Sequence, residues 1–144
     1  MLGCLVILDG EVQTGWVDFN NHMSAPCFAV AFGDSNDAAL ERLGFGSEWR
    51  EASGCALFVA EARNLFRREL HVGDRYRIQT RLAEADDKRL RLVHHMRCVD
   101  GVVAADAEIL FLHVATDGPK AIPFDIASRA RLAALKPTTA PLEP

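Results

Sequence analysis

The residues best suited to chemistry in this chain sit close together, in Asp18-Phe19-Asn20-Asn21-His22-Met23-Ser24. A carboxylate can draw a proton from water or attack a carbonyl carbon directly. An imidazole can donate to the carbonyl oxygen or hold the water. The segment lies between a strand-like run and an apolar helix-like run. A helix start offers unpaired N–H groups and a partial positive charge, which suit an oxygen that gains negative charge during attack. Asp and Asn are also ordinary turn and capping residues, so the spacing alone fits a structural turn as well as a reaction.

The elements that must position these residues follow from periodicity. Residues 11–18 read as a first strand, with Val12 and Trp16 as its apolar members. A helix is expected from Pro26 to Leu43. Proline fits a first helical turn and Gly44 fits the position just past the end. The run PCFAVAF is apolar nearly all round, so this helix should be buried on most sides. Asp34, Asp37, Glu41 and Arg42 then bring its second half toward water. Residues 45–55 read as an irregular link. Four strand-like segments follow, at 56–68, 75–84, 88–99 and 102–114, with the alternation of half-buried antiparallel strands. A turn at Glu84–Asp87 and a tight hairpin at Asp100-Gly101 join them. Asp125 is placed to cap a short helix. The expected fold class is α+β, an antiparallel sheet of about five strands wrapped round one long helix. It is expected as a single domain over 1–136, with 137–144 as a mobile tail.

Composition narrows the function. With 49% hydrophobic and 25% charged residues, the chain belongs among globular rather than disordered sequences. Its apolar runs fall far short of the roughly 20 residues that span a bilayer, and its start lacks a basic leader stretch. A cytoplasmic protein with no membrane partner is expected. The cysteines Cys4, Cys27, Cys55 and Cys98 form no C-x-x-C pair, and no His/Asp/Glu set has metal-ligand spacing along the chain. Neither metal nor cofactor is expected. A net charge of −4 argues against a nucleic-acid partner. Ten of the 16 Lys and Arg residues nevertheless fall between Arg63 and Arg97. Such a local basic band suits a small phosphorylated ligand.

The run WVDFNNHMSAPCFAVAFGDSNDAALERLG, continued by FVAEARNLFRRELHVGD and FLHVATDGPKAIPF, resembles the hotdog-fold acyl-CoA thioesterases of the 4-hydroxybenzoyl-CoA thioesterase type. In that superfamily an Asp-x-x-x-His-like segment precedes the central helix. More narrowly, the chain is similar to the betainyl-CoA thioesterase-like proteins of carnitine breakdown. Those show V-D-[YF]-N-x-H-M, then an aspartate-rich helix, then a V-E-A-rich strand. Here the matching elements are Val17–Met23, Asp34 with Asp37, and Val59–Ala62. The resemblance implies a hotdog fold that hydrolyses a small acyl-CoA to free acid and CoA. It also implies a site between the subunits of a homodimer, or of a dimer of such dimers. Asn21 stands where many relatives have Gly, and Ser24, Pro26 and Cys27 replace a polar, Asn- and Tyr-containing helix start.

Carried over by position, Asp18 would be the base or nucleophile. His22 and the backbone N–H groups around Met23 and Ser24 would polarise the carbonyl, and Asn20 would orient the loop or a water. Glu61 is a second acid to consider, expected to be partly buried, with an ion pair to Arg63 as the structural alternative. A betainyl group would need aromatic faces and a counter-charge. Trp16, Phe19, Phe28 and Phe32 are candidate walls, and Asp34 and Asp37 candidate acids, although core packing accounts for each aromatic equally well. Arg63, Arg67, Arg68, Arg89 and Arg91 are candidates for the CoA phosphates. His94 and His113 read as core or interface residues and His71 as an exposed turn residue. Two other functions stay open. One is a non-catalytic acyl-CoA-binding module. The other is an enoyl-CoA hydratase, for which the Asp18–His22 spacing is one residue short and lacks a proline.

Overall fold

The continuous apolar run Cys4–Leu8 lies ahead of residue 11, and the first strand begins with it. In the computed structural model, which describes residues 3–137 and Leu142, β1 is Cys4–Glu11. The expected first strand is instead a passage through a short 3-10 turn, Thr14–Trp16. Trp16 still packs against the core from this turn. The helix α1 spans Ala25–Arg42, with Pro26 in its first turn. Gly44 follows it with φ +87°, a left-handed conformation that glycine adopts without strain. The link expected to be irregular contains a helix, α2, Ser47–Ser53. Glu48 near its N-terminus and the left-handed Gly54 just after its end favour a short helix there.

The strands β2 (Cys55–Phe66), β3 (Arg75–Ala85), β4 (Arg89–Cys98) and β5 (Val103–Ala115) follow, then a two-residue β6 (Lys120–Ala121) and α3 (Ile126–Ala134). Asp125 caps α3, its side chain accepting from the Ser128 N–H at 3.0 Å. The order in the sheet is β1-β3-β4-β5-β2, all pairs antiparallel, with β6 added to β5. The sheet wraps the inner face of α1. Phe28, Ala31, Phe32 and Ala39 of the helix are buried with Ile78, Leu82, Leu90, Leu92, Met96, Ile109 and Phe111 of the strands. This is the hotdog arrangement.

His94 sits in that interior, stacked on Phe32 with ring centroids 5.6 Å apart. Its Nε2–H donates to Asn36 Oδ1 at 2.6 Å, which leaves Nδ1 to accept from the Thr80 hydroxyl at 2.7 Å. Burial pushes its pKa down to about 3, so the ring is neutral. Of the tail expected to be mobile, residues 138–141 and 143–144 lie outside the described residues. Leu142 is buried against Ala83 and Val93. Among the described residues, no helix is long and apolar enough to cross a membrane.

Candidate active site

A tight loop brings the acid and the imidazole together. Val17 and Met23 form an isolated antiparallel bridge. Between them the Asp18 N–H donates to the His22 carbonyl at 3.0 Å, and the Asn21 N–H to the Asp18 carbonyl at 2.9 Å. Asn21 turns the loop with φ +63°. Asparagine is among the few residues with a side chain that enter this region readily, so it can hold this turn. Asn20 acts through its backbone: its N–H donates to Asp18 Oδ1 at 2.9 Å and fixes that carboxylate. Among the described residues no other hydrogen bond reaches the Asp18 carboxylate, so Oδ2 is available to a water or a substrate.

Asp18 and His22 open onto a cavity of about 420 Å³. Met23, Ala25 and Phe28 line it from the loop and the start of α1. Phe66 ends β2 on the opposite side, followed by Arg67, Arg68 and Glu69. Phe28 and Phe66 meet edge to face, with ring centroids 5.2 Å apart, and give the cavity an apolar wall. Such a site can hold a thioester against a carboxylate with two cations at the rim.

The backbone N–H groups expected to polarise a carbonyl are already bonded within the protein. The Met23 N–H is committed to the Leu70 carbonyl at 2.7 Å and the Ser24 N–H to the Trp16 carbonyl at 2.9 Å. Both bonds hold the loop in place and take these donors away from a substrate. The Ser24 hydroxyl lies 3.2 Å from Cys27 Sγ and makes no capping bond to the helix. The Cys27 N–H bonds back to the Ser24 carbonyl, and Pro26 has no N–H to give. Among the described residues, the helix-start N–H that remains is that of Ala25, which lines the cavity.

Glu69 is a functional candidate that the sequence did not single out. Its Oε2 lies 2.8 Å from His22 Nε2, with both side chains partly exposed. In neutral His22 the proton therefore sits on Nε2 and Nδ1 is an acceptor able to hold or activate water. Only the imidazolium form could donate from Nδ1 to a carbonyl. The one signal for Glu69 in the sequence was its place directly after Arg67-Arg68, with nothing to say it would face His22. His71 lies next to the pair, its ring edge-on to His22 at 5.1 Å between centroids. Linear spacing offered no metal set, but His22, Glu69 and His71 bring their ligand atoms within 4.8 Å of one another.

The two cavity arginines are anchored differently. Arg67 Nε donates to Asp106 Oδ2 at 2.6 Å, and His95 Nδ1 lies 2.6 Å from Asp106 Oδ1. Burial raises the Asp106 pKa, but the bonds from His95 and Arg67 outweigh it and hold the carboxyl below its ordinary range. Arg68 donates to Asp100 at 2.7 Å on the surface, a bond that raises the guanidinium pKa further.

The other expected site residues lie elsewhere. Glu61 is exposed rather than partly buried. A register shift between Val59 and Glu61 breaks the alternation that suggested an inward side chain. Phe19 is 97% exposed and forms no wall. Phe32 is core. Arg63 reaches the Leu142 carbonyl at 3.4 Å, and Arg89 pairs with Asp86 at 2.8 Å beside a separate cavity. Arg91 pairs with Glu84 and Glu108. Asp34 and Asp37 line a larger cavity of about 640 Å³, between α1 and β2, that contains neither Asp18 nor His22.

Residues 12–132 match the family model described as the thioesterase-like superfamily, and the chain belongs to that family. Among characterised proteins it is similar to the betainyl-CoA thioesterase of Pseudomonas aeruginosa, 36% identical over 91% of this chain and 83% of that protein. It is also 35% identical to the L-carnitine dehydrogenase/betainyl-CoA thioesterase of Agrobacterium fabrum, over 79% of this chain and 23% of that longer protein. Among solved structures, the SAV2348 protein of Staphylococcus aureus in complex with CoA superposes with TM-score 0.88 at 23% identity, covering 100% of this chain and 92% of the other. That likeness carries the fold.

Proposed function

We propose that the chain hydrolyses a small acyl-CoA thioester to the free acid and CoA, with betainyl-CoA the first acyl group to test. The observation that carries this reading is the shared cavity. It holds a carboxylate with one uncommitted oxygen, an imidazole, a helix start and two arginines. Arg67 and Arg68 supply the positive charge that CoA phosphates need at its rim. In the reaction, a water held by His22 Nδ1 attacks the thioester carbon and gives its proton to Asp18 Oδ2. The Ala25 N–H and the α1 terminus stabilise the oxygen that becomes negative. The C–S bond then breaks, and the CoA sulfur takes the proton back from Asp18. Direct attack by Asp18, followed by hydrolysis of the anhydride, uses the same residues.

A homodimer belongs to this reading. β2 is an edge strand that leaves Phe58, Val59 and Phe66 exposed, and an open apolar edge invites pairing with a second copy. Phe66 also lines the cavity, which puts the reaction site beside that edge. A cytoplasmic setting fits four cysteines that are all free thiols. The test is thiol release from betainyl-CoA and from neutral short-chain, aromatic and enoyl-CoA thioesters. Release by the wild type that is lost in Asp18→Asn is expected. Tight CoA binding with no release from any member would favour the binding-module alternative.

A further inference from the structure

Two segments meet at the rim of the cavity and present three metal-binding side chains to one point. The Met23 N–H bonds to the Leu70 carbonyl at 2.7 Å, and Leu70 is buried beneath it. In this extended stretch the residues on either side of Leu70 point away from the core, so Glu69 and His71 emerge together beside His22. Their position is fixed from behind. The His71 N–H donates to Asp74 Oδ2 at 2.8 Å, and the Asp74 N–H returns to the His71 carbonyl at 3.0 Å. The same Asp74 oxygen lies 3.6 Å from His71 Nδ1.

We propose that His22, Glu69 and His71 form a binding site for a divalent transition-metal ion of the zinc type, and that its occupation withdraws His22 from thioester hydrolysis. Two imidazoles and a carboxylate are the donors of three-ligand zinc sites that keep a fourth position for water. Imidazole selects zinc-like ions over magnesium and calcium, which prefer all-oxygen shells. A tetrahedral ion about 2.1 Å from each ligand holds the donor atoms roughly 3.4 Å apart. Here they lie within 4.8 Å of one another, and His22 Nε2 and Glu69 Oε2 are already at 2.8 Å. All three side chains are partly exposed and can rotate to close the difference. The ion replaces the proton that Nε2 shares with Glu69, and that proton moves to Nδ1 of the same ring. Asp74 beside His71 Nδ1 is the carboxylate that commonly stands behind a metal-bound histidine, leaving Nε2 for the ion.

The blocking role rests on the thioesterase reading; the binding does not. Calorimetric titration of the full chain with zinc chloride should give one ion per chain. His71→Ala and Glu69→Gln should each weaken binding at least about tenfold, and magnesium chloride should give no heat. Zinc should also inhibit thiol release by the wild type, and His71→Ala should escape that inhibition, its rate with zinc matching its own rate without zinc. No zinc binding, or binding that His71→Ala leaves intact, overturns the site. Binding at these residues without inhibition overturns the blocking role. Zinc binding by a chain that hydrolyses no thioester would remove the thioesterase reading and leave the metal site standing.

Discussion

His22 Nε2 lies 2.8 Å from Glu69 Oε2, and this contact decides what the imidazole can do. With the proton held toward Glu69, neutral His22 offers Nδ1 as an acceptor beside the Asp18 loop. Glutamine at 69 can still accept from Nε2 and preserve the tautomer, whereas alanine cannot. We therefore expect Glu69→Gln to lower kcat about threefold and Glu69→Ala about tenfold or more, both with KM little changed. The double variant Glu69→Ala/His22→Asn should be no slower than His22→Asn alone. Additive losses would mean that Glu69 acts independently of His22.

The arginines at the rim should separate binding from stability. Arg68 pairs with exposed Asp100, so Arg68→Ala should raise KM for acyl-CoA several-fold at low salt and leave the melting temperature nearly unchanged. Arg67 holds Asp106, whose side chain is only 6% exposed. Arg67→Met leaves that carboxylate with one partner fewer, at a cost of about 1–3 kcal/mol. A melting temperature unaltered by Arg67→Met would contradict this division.

Asn21 should behave as a conformational requirement. At φ +63° glycine is at home, so Asn21→Gly should keep full activity and stability. Asn21→Val places a β-branched side chain there at a cost of about 1–2 kcal/mol. The loop that aligns Asp18 with His22 would shift, and kcat should fall more than stability alone explains. Equal rates for the glycine and valine variants, measured well below their melting temperatures, would refute the argument.

What the sequence disclosed depended on how local the cause was. The alternation of Tyr76, Ile78, Thr80 and Leu82 is set by one buried face, and all four are buried as that pattern requires. The Asp18–Ser24 segment was legible because a turn and a helix start are local events. The first strand lies earlier than the position of Trp16 suggests, because Trp16 packs on the core from a turn and not from a strand. Glu61 faces water because a register shift in β2 breaks the alternation, and no residue type there announces it. Glu69 reaches His22 only through the bond between Met23 and Leu70, a pairing that exists in three dimensions alone. The arginines shared this limit. Composition marked a basic band, but only the folded courses of β2 and β4 decide that Arg67 and Arg68, just past β2, face the cavity while Arg63 of β2 and Arg89 of β4 do not.

Acid should weaken the fold before its carboxylates titrate. His94 has a folded pKa of about 3 against 6.5 for the free side chain, because it is buried and neutral. The unfolded chain therefore takes up a proton below pH 6.5 that the folded chain refuses. Stability from this residue is intact above pH 6.5 and is lost at about 1.4 kcal/mol per pH unit as pH falls toward 3. Carboxylates held below their ordinary range, Asp106 among them, contribute stability above the carboxylate pKa and lose it only at lower pH. The interval from pH 6.5 to about 5 lies above the range in which such carboxylates lose their contribution, and the comparison with a non-titrating side chain at 94 separates His94 from the other groups. Urea unfolding across that interval should show the wild type losing stability by up to one proton's slope. His94→Gln can bond to Thr80 and Asn36 without titrating, and it should be less stable at pH 7 but flatter with pH. An equally steep decline in His94→Gln would assign the acid sensitivity to another group.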